Sequence, residues 1–200
     1  MFIKMEPSSD TRARWQARVF LRQSFEYDGK NGRGHERRFP GWVQVPTIEL
    51  DFATTHSPED LELLIARAQL ATLAPGNVPP QTFLHGSLAV LGRQYSHAPF
   101  SPNTVCIDIS GPTLSSLSFY DLPGIIGQSE DQSSHFLVKF VKDLVTEFIK
   151  EPESLILVTC SLGNDIHNST AAGIARELNS TDRCVGKYNG AEFKVRLPLT

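Results

Sequence analysis

The sequence has little cysteine, little net charge and no long apolar run, and each shortage excludes a class of protein. Its three cysteines, Cys106, Cys160 and Cys184, each lie in an apolar, strand-like stretch. An odd number of widely spaced cysteines argues against a disulfide framework and for buried thiols in a reducing compartment. A net charge of −3 gives no electrostatic reason to expect binding to nucleic acid or to an anionic membrane surface.

No apolar stretch reaches transmembrane length, and the first residues lack the apolar core of a signal peptide. We therefore expect a cytoplasmic protein that does not bind nucleic acid.

The sequence also lacks the motifs of several common active sites. Its six histidines show no zinc spacing such as H-E-x-x-H. There is no G-x-S-x-G nucleophile elbow, no G-x-G-x-x-G after a strand, and no G-x-x-x-x-G-K-S/T loop to hold phosphates. These absences argue against an unrelated α/β domain with a hydrolase site or a dinucleotide site, and they leave no confident catalytic residue.

What is present is a hydrophobic content of 40% over 200 residues, enough for one globular domain spanning 1–200. Apolar residues alternate over 17–27 and predict a strand, and 39–53 is a second extended segment that we expect Pro40 and Pro46 to break. Ser57 and Pro58 are typical of a helix start, with Ser57 as the capping side chain. The segment 75–104 is rich in Pro, Gly, His and Ser and predicts mostly loop, with one short helix near 83–91.

From residue 104 the pattern becomes an alternation of strands and helices. Four strands are predicted, the third of them fully buried and parallel, together with two helices: strands 105–109, 114–120, 155–158 and 183–186, and helices 133–150 and 169–178. This order favours right-handed crossovers and a mainly parallel α/β sheet.

The most informative residues are Asp121, Leu122, Pro123 and Gly124, which follow the apolar strand that ends at Tyr120. A carboxylate at the end of a buried strand, followed by a tight Pro-Gly turn, resembles the part of P-loop GTPases that faces the Mg²⁺ and the γ-phosphate of the nucleotide. Asp121 would reach the metal through a water, and Gly124 would leave room for the phosphate.

In this context the chain resembles the GTPase domain of the dynamin superfamily, closest to its fungal dynamin-like and Mx-like branch, over roughly residues 15–186. The stretches that carry the resemblance are 62–71 (ELLIARAQLA), 100–103 (FSPN), 105–112 (VCIDISGP), 117–125 (LSFYDLPGI), 155–158 (LILV) and 164–168 (NDIHN). The resemblance implies a P-loop GTPase sheet, GTP as substrate, Mg²⁺ as cofactor, and a cytoplasmic location at membranes or microtubules. It implies that Asp121 holds Mg²⁺ and that Gly124 senses the γ-phosphate.

Asp165 matches a loop aspartate that supports homotypic GTPase-domain dimers in that family, although an ordinary Asx turn explains it equally well. In the intact family the membrane is reached only through later domains, which these residues do not include.

The departures from the family are large. The phosphate-binding loop and the first core strand are missing from the sequence, and the switch I threonine cannot be assigned. After Gly186 the Thr-Lys-x-Asp motif that reads guanine is also missing, so 187–200 is a divergent tail that suggests a truncation or an altered reading of the gene.

We therefore expect an incomplete sheet with unpaired apolar strands, poor solubility, and no appreciable GTP hydrolysis by this chain alone. The alternative is a non-catalytic interaction module that docks on a full-length dynamin-like partner through the Asp165 face.

Overall fold

The computed structural model describes residues 1–10, 12–29, 37–96, 98–124, 135–158, 170–177, 183–188 and 191–193. They belong to two compact units, Met1–Leu122 and Pro123–Thr200, which are described separately below. The single domain expected over 1–200 stays a prediction.

The first unit is a five-stranded sheet with its helices in the connections between strands. Its elements in chain order are β1 Phe2–Pro7, β2 Gln16–Tyr27, β3 Trp42–Thr55, α1 Pro58–Thr72, a 3₁₀ helix Pro80–Leu84, α2 Leu88–Tyr95, β4 Thr104–Gly111 and β5 Leu117–Tyr120. The order of strands across the sheet is β3-β2-β4-β1-β5. The short helix predicted near 83–91 is thus replaced by two helical segments, one on each side of residues 85–87.

Strand β2 forms where the alternation of its sequence predicts it. Ala17, Val19 and Leu21 are buried, with exposures of 0%, 0% and 4%, and they pack in the core of this unit. Arg18 and Arg22 point to the opposite face of the sheet, as the two-residue period of a strand requires.

The pairing directions correct the mainly parallel sheet expected from the sequence. In the first unit only β1 and β4 are parallel, whereas β2–β3, β2–β4 and β1–β5 are antiparallel. The expectation failed because it rested on the β-α-β order of the second half of the chain. Strands β2 and β3 are consecutive along the chain, and the described residues between them form no helix. Such a connection permits antiparallel pairing.

Strand β3 runs through Pro46, so the break expected there is wrong. The register with β2 shifts between the pairs Gln23–Ile48 and Phe25–Gln44, and Pro46 lies inside this irregularity. Strand β3 is also at an edge of the sheet. A proline costs no ladder hydrogen bond at a bulged edge position, which explains why the strand continues.

Helix α1 begins at Pro58, as predicted, but Ser57 does not cap it through its side chain. The Ser57 hydroxyl instead donates to the carboxylate of Glu59, and this hydrogen bond lowers the pKa of Glu59. On the buried side, α1 contributes Ala68 and Ala71 to the core shared with β2 and β4.

The opposite face of this sheet carries cross-strand ion pairs. The Arg18 Nε lies 2.8 Å from the Asp51 Oδ1, and its guanidinium lies 3.7 Å from the Asp108 carboxylate. Arg22 is 3.0 Å from Glu49. These pairs join β2 to both of its neighbouring strands, and each arginine has an acidic partner.

The second unit contains α3 His135–Ile149, β6 Ile156–Val158, α4 Thr170–Glu177, β7 Cys184–Tyr188 and β8 Ala191–Phe193. Strands β6 and β7 are parallel, and α4 lies between them in the sequence. This is the arrangement that the sequence predicts. Strand β8 returns antiparallel to β7, so part of the expected divergent tail forms regular structure.

Strand β6 is not fully buried, contrary to the prediction for 155–158. Leu155 and Leu157 are 64% and 73% exposed. Among the residues of this unit whose burial the structure describes, the buried side chains belong to its two helices: Phe140, Val141, Val145, Ile149, Ile174 and Ala175. Within the residues described, neither unit has a helix with the length and apolarity needed to cross a bilayer.

Candidate functional site

The candidate site begins at Asp121, where β5 ends. The strand before Asp121 was predicted to be buried, and this is wrong: all four residues of β5 are exposed, because β5 is an edge strand of the sheet. The Asp121 amide donates to the Met1 carbonyl at 2.8 Å, and the Met1 amino group donates to the Asp121 carbonyl at 2.6 Å. These two bonds continue the antiparallel β1–β5 ladder by one residue beyond the pair Phe2–Tyr120. The backbone of Asp121 is therefore fixed by β1.

The side chain of Asp121 is exposed to solvent. Burial lowers the pKa of the Met1 amino group, and the negative charge of the Asp121 carboxylate partly offsets this by raising that pKa. The site thus presents an accessible carboxylate on a backbone held at a defined position.

The other three predicted residues continue the loop from Asp121. Leu122 and Pro123 are half-buried and Gly124 is exposed. The boundary between the two compact units falls between Leu122 and Pro123. A Cβ added to Gly124 would meet nothing within 4 Å, so the protein atoms described do not themselves require glycine there. The predicted role of Gly124 toward a phosphate stays a prediction.

The described residues offer few ligands for the predicted Mg²⁺. Mg²⁺ in proteins usually takes one or two carboxylates and completes its six oxygen ligands with water and substrate phosphates. Asp121 fits one such position. The described residues contain no cluster of three or more acidic, histidine or cysteine side chains that could hold a metal.

The chain has no glycine-rich phosphate loop in its sequence either. These residues therefore do not by themselves fit Mg²⁺–GTP, and no catalytic step follows from them.

Asp165 lies outside the described residues. Its predicted place on a dimer face, and the docking function that depends on it, stay predictions. Cys160 is outside them as well. Cys106 is fully buried and its burial raises the pKa of the thiol, in agreement with the buried thiol expected there. Cys184 is half-buried.

Strand β1 is the part of the site that sequence reasoning missed. It pairs with β4 on one side and β5 on the other, and it supplies the Met1 carbonyl that holds Asp121. The signal was present in the sequence: Ile3 and Met5 are apolar and alternate with Lys4 and Glu6. Such a two-residue period predicts a half-buried strand.

Comparison with known proteins supports a dynamin-like origin. The chain is 31% identical to dynamin-related protein 12A of Glycine max over 81 residues. It is 32% identical to phragmoplastin DRP1A of Arabidopsis thaliana, also over 81 residues. In both cases the match covers 40% of this chain and 13% of the relative.

A third relative, the interferon-induced GTP-binding protein Mx3 of Rattus norvegicus, is 29% identical over 87 residues, which are 43% of this chain and 13% of the relative. No family model matches the chain. The chain therefore shares a limited segment with dynamin-related and Mx proteins and spans a small part of their length.

Proposed function

We propose that this chain is part of a dynamin-type GTPase domain, in which Asp121 supplies a carboxylate to the Mg²⁺ side of the GTP site. The position of Asp121 carries the proposal: its backbone is fixed by two hydrogen bonds to Met1, and its carboxylate is exposed where β5 ends. The similarity to relatives that include a GTP-binding protein supports the choice of nucleotide.

The complete domain would belong to a cytoplasmic protein that acts at membranes or microtubules. Membrane remodelling would depend on GTP hydrolysis and on other parts of the protein. Two such domains would pair with each other, or one would pair with a dynamin-like partner.

We further propose that these 200 residues alone neither bind nor hydrolyse GTP appreciably. Phosphoryl transfer in P-loop proteins depends on positioning and charge stabilisation by backbone amides, a lysine and a Mg²⁺-binding Ser/Thr. Without them, the Asp121 carboxylate would face a triphosphate of the same sign. Titration of the chain with a fluorescent GTP analogue and Mg²⁺ should give no saturable binding. A micromolar dissociation constant would contradict this part of the proposal.

The origin of the domain is tested by sequencing the native transcript across both ends of the reading frame. An upstream G-x-x-x-x-G-K-S/T and a downstream Thr-Lys-x-Asp, both in frame, would support a complete GTPase domain. A transcript limited to these 200 residues would instead leave a degenerate domain without GTPase activity.

The role of Asp121 is tested in such a longer protein. Asp121→Asn removes the negative charge with little change in shape and should lower the rate of GTP hydrolysis by roughly 10²–10³-fold, the usual loss for a group that stabilises charge in a transition state. The Mg²⁺ concentration required for activity should rise.

The matched control is Asp60→Asn, which removes an exposed carboxylate from the first turn of α1. It should leave hydrolysis unchanged. Equal activity of the Asp121 and Asp60 variants would contradict the proposed role of Asp121.

A further inference from the structure

We draw no further inference here: the strongest candidate, the exposed apolar surface of Leu117 and Phe119 on the edge strand β5, carries nothing because the structure does not show what covers it.

Discussion

At the scale of single residues, Asn103 holds the irregular part of β2. Its Oδ1 accepts hydrogen bonds from the Ser24 amide at 2.9 Å and from the Phe25 amide at 3.0 Å. Its Nδ2 donates to the Phe25 carbonyl at 2.9 Å. The ladder between β2 and β4 ends at the pair Arg22–Thr104, so the Asn103 side chain satisfies backbone groups of β2 just beyond that ladder.

Replacing Asn103 by alanine should therefore destabilise the first unit. Partly buried amides would lose their acceptor, and leaving such groups unsatisfied costs about 1–3 kcal/mol. Urea denaturation followed by tryptophan fluorescence would measure the loss of unfolding free energy. The control is Asn77→Ala at an exposed loop position, which should change it by less than about 0.5 kcal/mol. Equal stability of the two variants would show that Asn103 does not hold the strand.

The sequence predicted Asp121 but not Asn103, for a physical reason. Asp121 stands directly after a strand and shortly before the pair Pro123-Gly124, and this local sequence pattern has a chemical meaning. Asn103 lies in a loop-rich segment, and its partners are 78 and 79 residues away in sequence. The hydrogen bonds of Asn103 depend on the tertiary pairing of β2 with β4. No local sequence pattern predicts that pairing.

At the scale of secondary-structure elements, hydrophobic periodicity predicted β2, α1 and α3. Each of them buries one face, so its apolar residues recur at the spacing typical of a strand or a helix. The parallel direction predicted for the strands after residue 104 is correct for β6 and β7, which are joined through a helix. In the first sheet, β1 lies between β4 and β5, so these two strands do not pair with each other. A short strand from the start of the chain can enter a sheet in either direction, so element order alone could not determine this topology.

The edge strands β3 and β6 differ in how they oppose pairing with another chain. Strand β3 carries Pro46, an irregular register and the charged Glu49 and Asp51, features that protect an edge. In the part of the second unit that the structure describes, β6 ends the sheet with Leu157 73% exposed. An apolar side chain on an edge strand favours aggregation.

Leu157→Lys should therefore raise the concentration at which the chain aggregates, by several-fold, as measured by light scattering. The matched control is Val90→Lys, because Val90 is 58% exposed but lies on helix α2, where no strand edge is available. If both substitutions improve solubility equally, exposed apolar area rather than the β6 edge causes the aggregation.

At the scale of the whole molecule, the two compact units have separate cores. The core cluster of the first unit draws its buried members from β2, β3, α1, the 3₁₀ helix, α2, β4 and a connecting residue, all before residue 108. The second unit buries side chains of α3 and α4, including Val141 and Ile174. A unit that contains its own core can fold without the rest of the chain.

We therefore expect residues 1–122 alone to unfold cooperatively, with nearly the same urea midpoint as in the full chain. Both tryptophans of the protein, Trp15 and Trp42, lie in this unit, so tryptophan fluorescence reports on the first unit in either chain. The Trp42 indole donates to the Phe100 carbonyl at 3.2 Å, and Trp42 is 3% exposed. Unfolding should thus shift its emission strongly.

The comparison also tests how far the second unit supports the first. A midpoint that is the same in both chains would mean that the sheet holding Asp121 is stable on its own, because the ladder of β1 with β4 and β5 lies within residues 1–122. A non-cooperative or absent transition in the shorter chain would contradict the prediction. Since a shortened chain can aggregate, hydrogen exchange of the Asp121 amide in the full chain provides a second measurement. Protection of this amide should disappear together with the fluorescence transition, because its hydrogen bond to Met1 depends on the same sheet.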